Sequence, residues 1–146
     1  MKLKEYISGS AEETKRIAAE FAAELKASDT VCMRGDLGAG KTAFVQGLAK
    51  GLGIGEYITS PTFTIVNVYE SGRLKLYHFD VYRIEEPEEM YEIGYDEYIG
   101  GDGVCVIEWP QLIEEILPDN RYEIEILKDM SIGEDYRKII IGRVTE

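Results

Sequence analysis

The sequence is poor in cysteine, histidine and tryptophan, with two, one and one in 146 residues. Cys32 and Cys105 each lie inside a short apolar run, which is typical of buried strand thiols and argues against a disulfide or a zinc site. His78 has no cysteine, second histidine or carboxylate around it at the spacing of metal ligands, so we expect it to have a structural role. The sequence therefore predicts neither a disulfide scaffold nor a zinc protein.

Basic residues are also scarce. Lysine and arginine total 16 against 28 aspartates and glutamates, which gives a formal net charge of −12. This charge opposes non-specific attraction to polyanions, so we expect no strong nucleic-acid binding by the chain alone and no membrane binding. No apolar run approaches the length of a bilayer span, and residues 1–6 lack the apolar stretch of a signal peptide. We therefore expect a cytoplasmic protein.

The rest of the composition is that of a folded domain. Hydrophobic residues make up 45% of the chain and charged residues 30%, which is close to the average for globular proteins. No repeat, low-complexity tract or linker divides the sequence. We therefore predict one domain over residues 1–146.

Strand and helix patterns alternate along the chain. The capping-box spacing of Ser10 and Glu13 predicts a helix start, and further helical patterns follow residue 42, at 85–99 with an interruption, and at 110–117. The turn at 70–73 predicts an antiparallel hairpin. Runs rich in β-branched, aromatic and other apolar residues predict strands at residues 3–7, 30–34, 63–69, 74–80, 104–108, 122–127 and 138–144. This alternation indicates a mixed α/β sheet.

Residues 35–42 read Gly-Asp-Leu-Gly-Ala-Gly-Lys-Thr and match the phosphate-binding pattern G-x-x-x-x-G-K-[ST] in full. In this pattern the glycines let successive backbone N–H groups face a phosphate, and Lys41 adds a positive charge. Thr42 is then placed to hold Mg²⁺. With the strand predicted before it and the helix after it, the loop indicates a P-loop NTPase-like sheet with helices on both faces and an inserted hairpin.

Two carboxylates end predicted strands near the loop, Asp80 and Glu108. This is the usual placement of an acid that acts on the metal or the attacking water in such sites. The simpler alternatives are a solvated strand-end residue for Asp80 and a charge near a helix start for Glu108. The sequence does not separate a metal contact through water from a base role for Glu108.

Two other features are open to more than one interpretation. Trp109 directly follows Glu108 and lies either beside a nucleotide or against the helix that follows. The acidic run at residues 85–89 is either a solvated face or a docking site for a basic partner.

Four segments together resemble the TsaE family, also called YjeE, the P-loop ATPase of bacterial tRNA threonylcarbamoyladenosine biosynthesis. They are residues 35–42, Ser-Pro-Thr-Phe-Thr at 60–64, His-Phe-Asp-Val-Tyr-Arg at 78–83 and Glu-Trp-Pro at 108–110. The resemblance implies an enzyme that uses ATP and Mg²⁺ and works with the TsaB and TsaD proteins. Those proteins install threonylcarbamoyl on adenosine 37 of tRNAs that read codons beginning with A, so tRNA is contacted indirectly.

The resemblance also implies roles for individual residues. Lys41, Asp80 and Glu108 are the expected catalytic residues, and Thr42 and Glu108 the expected Mg²⁺ contacts. Thr62 and Thr64 are expected to be switch-like, because their segment leads from the P-loop helix into the hairpin. The expected nucleotide contacts are Ala11, Asp36, Leu37, Gly38, Ala39, Gly40, Lys41, Thr42, Asp80, Trp109 and Arg137, of which Ala11 and Arg137 would border the adenine.

Two further function classes fit the same loop. A small-molecule kinase would need an acceptor pocket and usually an arginine-bearing lid, and Arg34, Arg73 and Arg83 are too scattered to suggest one. In a nucleotide-gated binding module, ATP would only set the shape of a docking surface. No glutamine or arginine is obviously placed to complete a hydrolytic site, so we expect slow turnover alone and activation by a partner.

Overall fold

One seven-stranded mixed sheet organises the molecule, in a computed structural model that describes residues 3–36, 38–61 and 65–145. The strands are β1 (Leu3–Ser8), β2 (Thr30–Arg34), β3 (Val66–Tyr69), β4 (Lys75–Asp80), β5 (Gly103–Glu108), β6 (Arg121–Lys128) and β7 (Arg137–Val144). The helices are α1 (Ala11–Ala22), α2 (Lys41–Gly51), α3 (Glu89–Glu92) and α4 (Tyr95–Tyr98), and a 3₁₀ segment covers Pro110–Ile116.

The strand order is β1-β7-β6-β2-β5-β4-β3. The four inner strands β6, β2, β5 and β4 are parallel, whereas β3, β7 and β1 extend the sheet by antiparallel pairing. The predicted hairpin is confirmed as the β3–β4 pair, in which Val66 lies opposite Phe79. Because the parallel strands share a direction, the carboxyl ends of β2, β5 and β4 meet at one edge of the sheet.

Helices α1 and α2 cover one face of the sheet. Ser10 caps the start of helix α1 as predicted: its Oγ accepts the Glu13 N–H at 3.1 Å, while Glu13 Oε1 accepts the Gly9 N–H at 2.6 Å. Its apolar face is buried against α2 and the sheet. Strand β2 contributes Val31 and Met33 to this core, so its other side chains face the opposite layer.

The second face carries α3, α4 and the 3₁₀ segment over a smaller core that contains Cys32, Cys105 and Ile107. Both thiols are buried and free, and burial raises the pKa of each to about 12, so they stay protonated and inert at neutral pH. Every residue of β5 is buried, which confirms that this strand is covered on both faces.

The helix predicted at residues 110–117 is present as the 3₁₀ segment Pro110–Ile116. It kinks at Ile113, where φ is −129°. The interruption predicted within 85–99 is confirmed, because α3 and α4 are separate turns that flank Gly94. None of the helices within the described ranges has the length and apolar character needed to cross a bilayer.

Candidate functional site

The glycine loop joins the end of β2 to the start of α2. Gly35 and Gly40 have φ values of +143° and +102°, in the left-handed region that favours glycine. A Cβ on Gly35 would lie 2.7 Å from the Ile126 carbonyl oxygen, so no larger residue fits there. Gly40 precedes α2 without any side-chain cap, which leaves the first N–H groups of the helix to bind an anion.

Lys41 lies at the first position of α2 and is only 6% exposed. Its Nζ lies 4.0 Å from the centroid of the Trp109 ring, in a cation–π contact. Burial lowers the pKa of Lys41 below its usual value, although the negative charges of Glu108 and Asp80 act in the opposite direction. The lysine therefore sits in a buried acidic pocket without a direct ion-pair partner among the described residues.

Asp80 and Glu108 end neighbouring parallel strands and lie directly opposite each other in the β4–β5 register. Burial raises the pKa of Asp80, and the Glu108 charge adds to this effect, although the Tyr82 N–H donates to Asp80 Oδ1 at 3.1 Å and opposes it. The two strand ends that sequence placed at the ligand edge are thus brought together beside the glycine loop.

Glu108 also has a partner that sequence reasoning missed. His78 Nε2 lies 2.6 Å from Glu108 Oε2, and both side chains are buried. His78 was expected to be structural, and it does lie in the hairpin, but it contacts the candidate catalytic carboxylate. Strand alternation is the signal that was available, because residue 78 must face the same side of the sheet as Asp80.

Trp109 follows Glu108 in an unusual backbone conformation. Its φ of 64° is left-handed, which is rare for a bulky residue and indicates local strain. The ring packs against Tyr82, with centroids 5.0 Å apart, as well as against Lys41. Trp109 therefore contacts the lysine of the glycine loop and also packs against the second core, and its position beside a nucleotide stays a prediction.

A second set of residues borders the loop from the other side. Arg137, the first residue of β7, donates from Nε to the Ala39 carbonyl at 2.8 Å. It lies opposite Lys128 in β6 and opposite Ser8 in β1, three residues before Ala11. The start of α1 and Arg137 thus reach the same edge of the sheet as the loop.

The donor set suits a magnesium ion better than a transition metal. Thr42 is exposed at the start of α2, and the Asp80 and Glu108 carboxylates end the adjacent strands. Among the described residues, no group of three histidines, cysteines or carboxylates could hold a metal alone. A site of this kind is completed by phosphate oxygens and water, as Mg²⁺ prefers.

Some predicted site residues cannot be compared with the structure. Leu37, Thr62 and Thr64 lie outside the described residues. Asp36 is exposed, and its carbonyl accepts the Ala39 N–H at 3.0 Å within the loop. In the acidic run, Glu89 Oε2 accepts the N–H groups of residues 85 and 86, so one of its carboxylates has a local structural role.

A glycine loop with this sequence, held between a buried parallel strand and a helix, defines the P-loop class of nucleotide-binding proteins. Within that class, the chain belongs to the TsaE family: the family model described as "Threonylcarbamoyl adenosine biosynthesis protein TsaE" matches residues 8–139. The family assignment made from the four motifs is therefore confirmed.

Curated relatives and a solved structure agree with this assignment. The tRNA threonylcarbamoyladenosine biosynthesis protein TsaE of Bacillus subtilis is 50% identical over 133 residues, which cover 91% of this chain and 81% of the relative. The protein of the same name from Treponema pallidum is 48% identical over 120 residues, covering 82% and 88%. A crystal structure of Bacillus subtilis YdiB matches with a TM-score of 0.81 at 45% identity, covering 98% of this chain and 86% of that one.

Proposed function

We propose that the chain is a Mg²⁺-dependent ATPase of the machinery that forms N6-threonylcarbamoyladenosine at position 37 of tRNA, acting with TsaB and TsaD. The names of its relatives support the pathway. One observation carries the activity: the buried Lys41 of the glycine loop lies beside two carboxylates that are paired in register, Asp80 and Glu108. A loop that only bound nucleotide would not require carboxylates at this position.

In this proposal the loop N–H groups and Lys41 bind the β- and γ-phosphates. Thr42 and Glu108 hold Mg²⁺, directly or through water, and Asp80 lies next to the metal or the phosphates. A Mg²⁺ ion held there would neutralise part of the negative charge of the phosphates. Glu108 either contacts the metal or accepts a proton from the attacking water.

The proposed reaction is an in-line displacement at the γ-phosphorus. A bond forms from the water oxygen to phosphorus, and the bond from phosphorus to the β,γ-bridging oxygen breaks, so that ADP leaves. The proton of the water passes to a carboxylate or to solvent. Lys41 and the loop amides stabilise the negative charge that develops on the phosphate oxygens.

The base would lie at the edge formed by the start of α1 and the start of β7. Ala11 is exposed there, and Arg137 holds the loop through the Ala39 carbonyl. Trp109 would border the phosphate side, because its ring contacts Lys41. The remaining loop residues, from Asp36 to Thr42 with Leu37 among them, would contact phosphate mainly through the backbone.

We place residues 1–146 in the cytoplasm as one ATPase domain that contacts tRNA only through its partners. The net charge of −12 supports the indirect contact with tRNA, because it opposes direct tRNA binding. Thr62 and Thr64 are proposed as switch residues that a partner orders before hydrolysis becomes efficient.

The test is steady-state phosphate release from MgATP by the chain alone, and then with purified TsaB, TsaD and tRNA. Strong stimulation by the complex is expected in the native chain and is lost in Glu108→Ala. Glu24→Ala is the matched control, because Glu24 is exposed just after α1, where the neighbouring Leu25 carbonyl accepts from Arg73 ahead of β4, at the edge of the sheet opposite the loop. Equal turnover with and without the complex would contradict the proposal and point to a stand-alone hydrolase or a kinase.

A further inference from the structure

His78 and Glu108 form a buried pair beneath the glycine loop. Their side chains are 1% and 5% exposed, and His78 Nε2 lies 2.6 Å from Glu108 Oε2. No other hydrogen bond to the Glu108 carboxylate is found among the described residues. A carboxylate with so little access to water depends on this one bond for its orientation.

The surroundings of the ring define its tautomer. His78 Nδ1 is buried and has no hydrogen-bond partner within the described ranges. A proton on Nδ1 would therefore leave a buried donor unpaired, whereas an unprotonated Nδ1 leaves only an acceptor. The neutral ring that carries its proton on Nε2 is the form that fits, and it donates to the carboxylate.

The nearby lysine explains why this bond matters. Glu108 and Asp80 both act electrostatically on Lys41, yet neither forms an ion pair with it, although the structure describes all three residues. A carboxylate freed from His78 could turn toward the Lys41 ammonium and compete with phosphate for it. The bond to Oε2 prevents this rotation and leaves Oε1 as the oxygen available to metal or water.

We infer that His78 is a positioning residue: its Nε2–H fixes the Glu108 carboxylate in the orientation that the hydrolytic site requires. The inference rests on the proposed ATPase function and adds a residue to its machinery. It resembles the general arrangement in which a second group orients a catalytic carboxylate, and loss of such a partner typically costs about 10- to 100-fold in activity or metal affinity.

The kinetic test compares His78→Leu, which removes the donor, with His78→Gln, whose amide N–H can reach a similar position. We expect kcat for MgATP to fall about 10- to 100-fold in His78→Leu with KM changed less than about threefold. His78→Gln should recover most of the loss. Equal kcat in His78→Leu and the native chain would overturn the inference, as would a failure of His78→Gln to rescue.

Tyr77→Phe is the matched control. Tyr77 is the neighbouring residue of β4, faces the other layer and donates to Asp102 at 2.5 Å, so this variant also loses one hydrogen bond to a carboxylate. Its kcat should match that of the native chain. A comparable loss of kcat in this control would show that any weakening of β4 suffices, and would overturn the specific role of His78.

A second measurement needs no turnover and no substitution of His78. Because the chain contains one histidine, both ring ¹⁵N resonances belong to His78, and their couplings to the ring C–H protons distinguish Nδ1 from Nε2. They should show a protonated Nε2 and an unprotonated Nδ1, and the Nε2 resonance should shift in Glu108→Gln. A protonated Nδ1, or no response to Glu108→Gln, would overturn the inference.

The two proposals can fail separately. Absence of ATP turnover in the native chain with its partners would overturn the proposed function, and the NMR result would still decide whether His78 donates to Glu108.

Discussion

The Lys41 ammonium lies 4.0 Å from the centre of the Trp109 ring, and the Trp109 backbone is held at a left-handed φ of 64°. The indole thus occupies a strained position in contact with the lysine of the glycine loop. A cation–π contact contributes about 1–2 kcal/mol, less than the several charge-assisted bonds that an ammonium group forms with phosphate oxygens. Phosphate should therefore draw the lysine away from the ring.

Nucleotide binding should change the fluorescence of the chain. Trp109 is the only tryptophan, so its emission needs no correction for other indoles. A neighbouring ammonium group quenches indole emission, and we expect intensity to rise as MgATP is added. Lys41→Met lacks the ammonium group, so its emission without nucleotide should already be high, and MgATP should change it little. A native chain that shows no change, at a concentration where binding is demonstrated independently, would contradict the displacement of Lys41.

Asp80→Asn should stabilise the nucleotide-free chain while weakening MgATP binding. Burial raises the pKa of Asp80, so ionisation of this carboxyl costs folding free energy at neutral pH. The asparagine keeps an oxygen for the Tyr82 N–H but carries no charge. Urea unfolding at pH ~7 should therefore show a higher midpoint for the variant.

The pH dependence of the unfolding midpoint tests the sign of this effect separately. The difference in unfolding midpoint between Asp80→Asn and the unsubstituted chain should shrink as pH falls toward the ordinary aspartate pKa of 3.8. The Asp80 carboxyl is protonated first in the folded chain and, below 3.8, in the unfolded chain as well. Asp102 is the control of opposite sign: hydrogen bonds from Tyr77 and Lys75 lower its pKa, so its contribution is present above 3.8 and lost below it. Asp102→Asn should lower the midpoint at neutral pH. A lower midpoint for Asp80→Asn would contradict the argument.

Arg137→Lys should weaken ATP binding although it keeps the charge. The guanidinium donates to the carbonyls of Ala39, Glu134 and Tyr136 at 2.7–2.9 Å, and a single ammonium group cannot reproduce this geometry. A bond from a charged donor contributes about 1.5–3 kcal/mol, part of which orders the loop, so we expect about a tenfold loss of affinity by titration calorimetry.

Arg143→Lys is the control for this prediction. Arg143 lies on the same strand, packs over the Tyr122 ring and forms no hydrogen bond or ion pair with the described loop residues. ATP affinity should be unchanged in this variant. If both lysine variants weaken binding equally, a general effect on β7 is responsible rather than the bond to Ala39.

The elements of the fold follow from local patterns, whereas their arrangement does not. Alternating apolar residues and turn signals predict the strands and the β3–β4 hairpin within a few residues. The placement of β6 next to β2, with β7 and β1 outside it, depends on pairings between distant segments. No local signal records such pairings, so the sequence yields a mixed sheet without its strand order.

The site divides in the same way. The glycine loop is contiguous and could be found from sequence alone, and the strand-end positions of Asp80 and Glu108 pointed to one edge of the sheet. The contact of His78 with Glu108 needs the register of β4 on β5, which sets Asp80 opposite Glu108. The bond from Arg137 to Ala39 joins residues 98 positions apart, and only the assembled sheet brings them together.

Gly47→Ala should destabilise the fold far more than an ordinary surface substitution. Helix α1 packs so closely on α2 that a Cβ at Gly47 would overlap the backbone of Lys15, which cannot move aside as a flexible side chain would. Overpacking costs about 1–3 kcal/mol of unfolding free energy. We expect Gly47→Ala to cost at least the upper value, because the clash is with the backbone of the neighbouring helix. Gly55→Ala is the matched control, because no described residue lies within 4 Å of a Cβ at that position and its φ is not left-handed. This second variant should be neutral or slightly stabilising, by up to about 1 kcal/mol. Urea unfolding of the two variants decides the matter: similar free energies of unfolding would mean that the α1–α2 contact is looser than its geometry shows.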